Sequence, residues 1–93
     1  MNIKLLDQES TSRTLVISDS KYPYLNLKLY FSYNTIIAIN DLDDTLYISE
    51  NCFSNTTGKH LNKINRDKKI RMKRDMFESK VSEILSQLLI TVN

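Results

Sequence analysis

Hydrophobic positions along the chain follow two different periods, and the change falls near residue 54. After the Tyr22-Pro23-Tyr24 break, Leu25, Leu27, Leu29, Phe31 and Tyr33 alternate with Asn26, Lys28, Tyr30 and Ser32, the period-two pattern of a half-buried strand. Leu15 and Ile17 alternate in the same way, Thr35 to Asn40 is a second apolar run, and Asn2 to Leu6 reads as a weaker edge strand. Asp41-Leu42-Asp43-Asp44 is a turn signal ahead of Thr45 to Ser49, so this stretch is expected to form a hairpin.

The second half reads as helical. Asn55, Thr56 and Thr57 are capping types ahead of Lys59 to Asn65, where Thr57, Leu61 and Ile64 share one face of a short helix. Phe77, Val81, Ile84, Leu85, Leu88 and Val92 recur at spacings of three and four, which predicts an amphipathic helix of about four turns. Burying five of these side chains at ~1.5–3 kcal/mol each is a large share of what holds so short a chain together. On a wheel of about 100° per residue, Ile70 joins the apolar arc, but Lys73 and Arg74 fall at its edges. The helix is therefore expected to dock from Met76 onward, with Arg66 to Arg74 as a loop or projecting first turn. Met72, Met76 and Ile90 lie on the far side as peripheral apolar positions.

These elements predict an α+β fold: a small antiparallel β-sheet of three to five strands, a short helix, and a longer C-terminal amphipathic helix packed on the sheet. The 93 residues read as a single domain, 1–53 mostly strands and 55–92 mostly helical.

Composition changes the picture by exclusion. At 41% hydrophobic the chain is too apolar for disorder. A single cysteine, Cys52, excludes an internal disulfide framework, and no signal peptide or long apolar run is evident, so the bacterial cytosol and no membrane are expected. Gly58 is the only glycine, which removes the Rossmann fingerprint and the P-loop. Asn, Ile, Lys, Tyr and Phe supply 36 residues; their A/T-rich codons point to an AT-rich bacterium or its phage.

Candidate chemistry is sparse. One Cys and one His exclude a structural zinc site within the chain, and Asp41, Asp43 and Asp44 lack the glycine and distal glutamate of a calcium loop. Cys52, beside Phe53, reads as a buried strand end, and His60 as hydrogen-bonded support, in preference to a nucleophile and its base. No catalytic residue, metal or cofactor is expected. Charge is more informative. Residues 1–58 carry four basic and seven acidic groups, residues 59–74 eight basic groups against Asp67 alone, and the last nineteen residues one against three. The net +2 thus conceals a segment of +7, made by Lys59, Lys63, Arg66, Lys68, Lys69, Arg71, Lys73 and Arg74, able to neutralise phosphates. At the helix start, Thr56, Thr57, Lys59 and His60 fit either an ordinary N-cap or an anion site.

Two stretches carry a resemblance: Ser32-Tyr33-Asn34-Thr35-Ile36-Ile37-Ala38, and Ser54-Asn55-Thr56-Thr57-Gly58-Lys59-His60 after the short strand Leu46 to Ser49. Over roughly residues 30–65 the chain resembles a family of small phage and prophage proteins of unknown function. That resemblance implies a mobile-element origin but assigns no role to Thr56, Thr57, Lys59 or His60. The leading expectation is a non-enzymatic phage accessory protein that binds a host protein or nucleoprotein complex, as an inhibitor of a bacterial defence effector of the CRISPR type. The alternatives are a module binding DNA or RNA through residues 59–74, and a structural or assembly protein that self-associates as a homodimer through the C-terminal helix.

Overall fold

Both faces of the central strand are covered, each by a different helix. Residues 1–92 are described by the structure, a computed structural model, with side chains described as far as Ile90. The chain forms β1 (Asn2–Gln8), β2 (Ser12–Ser18), β3 (Asn26–Ser32), β4 (Thr35–Asn40), β5 (Leu46–Ser49), α1 (Asn55–Ile64), β6 (Arg71–Met72) and α2 (Arg74–Val92). The α+β reading holds. The sheet has six strands in sequential order, antiparallel from β1 to β5 and parallel between β5 and β6. This exceeds the three to five strands expected, because the sixth is only two residues long and lies inside Arg66 to Arg74, too short to show a period.

That parallel pair makes α1 the crossover of a β-α-β unit. A parallel neighbour requires such a crossing, and its fixed handedness commits α1 to one face. Leu61 of α1 closes one cluster with Ile37, Ala38 and Ile48. On the opposite face Phe77, Ile84 and Leu88 of α2 pack with Ile17, Leu25, Leu27, Leu29 and Ile39. Val92 was counted in the same stripe, but its side chain lies outside the described residues.

The apolar run of β4 is explained by a bulge. Tyr30 pairs with Ala38 and Phe31 with Ile36, which leaves Ile37 as an extra residue. A bulge of this kind turns two successive side chains to one side. Ile37 and Ala38 accordingly join the α1 cluster, while Ile36 and Ile39 pack towards α2.

Two turns carry left-handed residues outside glycine. In the two-residue β3–β4 loop Tyr33 has φ 54°; its N–H donates to the Thr11 carbonyl at 2.7 Å, and Arg13 donates to the Tyr33 carbonyl and to Asn34 Oδ1. These bonds fix a conformation that costs a bulky residue about 1–3 kcal/mol. In the β4–β5 turn Asp44 has φ 61°, and Asp41 Oδ1 accepts from the N–H groups of Asp43 and Thr45. The acidic turn spends its first carboxylate on its own backbone.

Four expectations need correction. The last helix begins at Arg74, so its docking starts with that residue's guanidinium and not with Met76. Met72 packs against the α2 cluster as part of β6, whereas Met76 and Ile90 are exposed. Ile70 is exposed, because the chain there is a single 3-10 turn (Lys68–Ile70) outside the α2 wheel. Cys52 is exposed and not a buried strand end, since β5 stops at Ser49 and residues 50–54 run on the surface.

Candidate functional site

Helix α1 starts at Asn55, four residues before the expected boundary, because Ser54 is its cap. The Ser54 Oγ accepts from the Thr57 N–H at 3.2 Å, satisfying one of the free amides of the first turn. Asn51 lies across that turn, donating to the Ser54 carbonyl at 3.1 Å and accepting from the Phe53 N–H. A Cβ at position 58 would come within 2.9 Å of the Asn51 Nδ2. A side chain at position 58 would therefore need the Asn51 amide to shift.

The T-T-x-K-H stretch divides over the helix surface. Thr57 and His60 turn into the sheet, while Lys59 is exposed and Thr56 half-buried. Thr57 and Ser32 join hydroxyls at 2.8 Å, both residues being buried. His60 reaches Ser32 Oγ through Nδ1 at 2.7 Å and Thr11 Oγ1 through Nε2 at 3.0 Å. One polarity satisfies every member. Ser54 donates to Thr57, Thr57 to Ser32, Ser32 to the unprotonated Nδ1, and the Nε2–H to Thr11. The chain of hydroxyls pins α1 to β3 and to the β1–β2 turn, so Thr57 and His60 are support for the fold. Both ring nitrogens of His60 are thus engaged within this contact, with Thr11 and Ser32.

Ser32, Thr11 and Ser54 were not singled out from sequence. Ser32 sits at a polar position of β3 that alternation assigns to solvent; only the crossover over that face makes it interior. A cluster of short polar residues opposite a helix bearing the chain's only histidine was the available signal.

The basic segment likewise separates into anchored and free groups. Arg74 donates to Glu78 at 2.9 Å and to the Ile36 carbonyl at 2.9 Å, and its guanidinium lies 5.1 Å from the Phe53 ring and 5.2 Å from that of Phe77. Arg71 donates to Asn62 Oδ1 at 2.8 Å. Lys63 pairs with Glu9 at 2.7 Å. By contrast, Lys59, Arg66, Lys68, Lys69 and Lys73 are exposed and have no acidic partner among the described residues. Lys68 and Arg71 line one groove with Glu50, Asn51, Gly58 and Asn62.

The Lys63 ammonium, by hydrogen bond and by charge, holds the Glu9 carboxyl below the usual carboxylate range. A depressed carboxylate contributes stability that is present above its ordinary value and lost as pH falls through the folded one. Lys63→Met is therefore expected to remove that part of the acid-side loss, so wild type and variant converge in urea midpoint as pH drops through the carboxylate range. Equal midpoints at neutral pH would contradict a contribution from the pair.

On the β1–β2 side of α1 a second groove, about 270 Å³, is walled by Asp7, Thr14, Tyr30, His60 and Lys63 over Ile37 and Ile64. Burial, and then the charge of Asp44, push the Tyr30 phenol up. Among the described residues no three His, Cys, Asp or Glu side chains come together as metal ligands, and no helix is long and apolar enough to cross a membrane.

Fold and surface together define the class: a six-stranded mixed sheet with a helix on each face and free cations around one edge. The chain belongs to a family of unknown function, DUF8033, whose profile matches residues 1–79. That span holds every strand of the sheet, all of α1 and the start of α2 through Ser79. Neither the curated proteins nor the solved structures contain a match to the chain.

Proposed function

We propose that this protein is a non-enzymatic, phage-type binding module whose free cations contact nucleic-acid phosphates, bare or held in a host nucleoprotein of the cytosol such as a defence effector. One observation carries the reading: Lys59, Arg66, Lys68, Lys69 and Lys73 are exposed without acidic partners among the described residues. Eight cations in sixteen residues are more than the fold uses. Arg71, Arg74 and Lys63 serve the structure, and the other five are available to a polyanion.

Each phosphate neutralised on duplex DNA contributes about −0.9 to the slope of log affinity against log salt. Contact by all five cations therefore gives a slope of roughly −4 to −5. Reversal of Lys68, Lys69 and Lys73 to glutamate is expected to remove about three units of that slope while leaving the urea midpoint nearly unchanged. Fluorescence anisotropy with single-stranded DNA, duplex DNA and RNA over a salt series reads both. No affinity for any of the three at low salt would exclude bare nucleic acid. Capture of a host complex that is lost on nuclease treatment would then locate the phosphates in a nucleoprotein, and its absence would end the proposal.

A further inference from the structure

Strand β1 pairs with β2 at every residue but Leu6 yet gives no residue to either core cluster. All seven of its residues are exposed, with Ile3 at 67%, Leu5 at 46% and Leu6 at 52%. It is an outer strand of the sheet, so one row of its N–H and C=O groups has no strand partner. Natural edges are usually blunted by charges, proline or shortness. This one is seven residues long and carries a single lysine before its bulge.

We infer that the β1 edge pairs antiparallel with β1 of a second copy, through a two-fold axis at Ile3, to make one continuous twelve-stranded sheet. The sequence itself selects that register. A two-fold axis perpendicular to an antiparallel pair must place some residue opposite itself, since paired side chains share a face. Centring on Lys4 sets two ammonium groups against each other. Centring on Leu5 runs through the irregularity between Leu5 and Asp7, beyond which the alternation is broken and Ile3 meets Asp7 on the wrong face. Centring on Ile3 uses only the regular stretch. Ile3 then faces its own copy and Asn2 faces Lys4, so each polar side chain meets its complement. Ile3 and Leu5, which pair with Ile17 and Leu15 on the α2 side, gather with their copies into one apolar strip. Met1, also exposed, extends that strip opposite Leu5.

The inference is independent of the nucleic-acid reading, since β1 and the cations that flank β6, Lys68, Lys69 and Lys73, lie at opposite ends of the sheet order. Light scattering across a concentration series is expected to show the wild-type mass doubling, and Ile3→Lys to weaken the dimer by about tenfold or more through like charges at the axis. Because Ile3 is exposed in the single chain, the urea midpoint of that variant at low concentration should stay near wild type. Cysteine placement tests the register with the exposed Cys52 replaced by serine. Ile3→Cys is expected to form a disulfide-linked dimer on mild oxidation, cross-strand Cβ atoms being about 4.5–5.5 Å apart; Asn2→Cys, which faces Lys4 of the other copy, should not. A mass of one chain at every concentration overturns the inference. So does a dimer that survives Ile3→Lys, or equal crosslinking at positions 2 and 3.

Discussion

Replacing Phe77 with alanine is expected to cost about 3–5 kcal/mol, the range for truncating a fully buried aromatic side chain. Phe77 has no exposure at all and is the first of three α2 side chains that close the larger cluster, with Ile84 and Leu88. Its ring also underlies the Arg74 guanidinium, so truncation loosens the group that ties the start of α2 to the Ile36 carbonyl. A domain of this size holds about 5–15 kcal/mol in total. The variant should therefore melt on the order of 15–30 °C lower, read by circular dichroism. Ile90→Ala, at a side chain 79% exposed, supplies the comparison and should stay within about 0.5 kcal/mol of wild type. Comparable losses in the two variants would show that α2 does not cover the sheet as described.

Ser32→Ala should be the most damaging polar change, at about 2 kcal/mol. The substitution fits the space but leaves the buried Thr57 O–H, 2.8 Å from Ser32 Oγ, without its acceptor and the His60 Nδ1, at 2.7 Å, without its donor, while Thr57 keeps only its bond from Ser54. An unpartnered buried polar group costs about 1–3 kcal/mol, while removing partners together costs much less. Thr57→Val added to Ser32→Ala should therefore cost less than the two single changes combined, with a coupling of about 0.5–3 kcal/mol. Urea unfolding at constant m-value measures it. Strict additivity would mean that the hydroxyls do not act as one chain.

The corrections share a physical origin. Period-two alternation in β3 identified Leu25, Leu27 and Leu29 as interior, and they are. It assigned Ser32 and Tyr30 to solvent, because alternation measures one covered face and cannot register a second. What covers that second face is the crossover α1, and the need for a crossover depends on β6, whose two residues are too few to show any period. The same short strand displaced Met72 from the helical wheel into the sheet. At the basic segment, charge was legible but its employment was not. Whether a cation is free depends on neighbours distant in sequence, such as Glu9 for Lys63 and the Ile36 carbonyl for Arg74. The capping residue was hidden for a simpler reason. Ser54-Asn55-Thr56-Thr57 offers four capping types in succession, and only backbone geometry, extended at Ser54, chooses among them.

Placing α2 after the sheet it covers has a consequence for how the protein is made. Strands β1 to β5 are synthesised with Leu25, Leu27, Leu29 and Ile39 on one side, and the helix that covers those side chains comes only after residue 73. Until then the nascent sheet is open on its most apolar face and at both edges, the condition in which partly made chains associate wrongly. Closure of that face therefore waits for β6 and α2, which follow each other directly in the chain. A chain cut short in that interval presents an uncovered apolar surface to proteases and chaperones, not a smaller version of the finished domain.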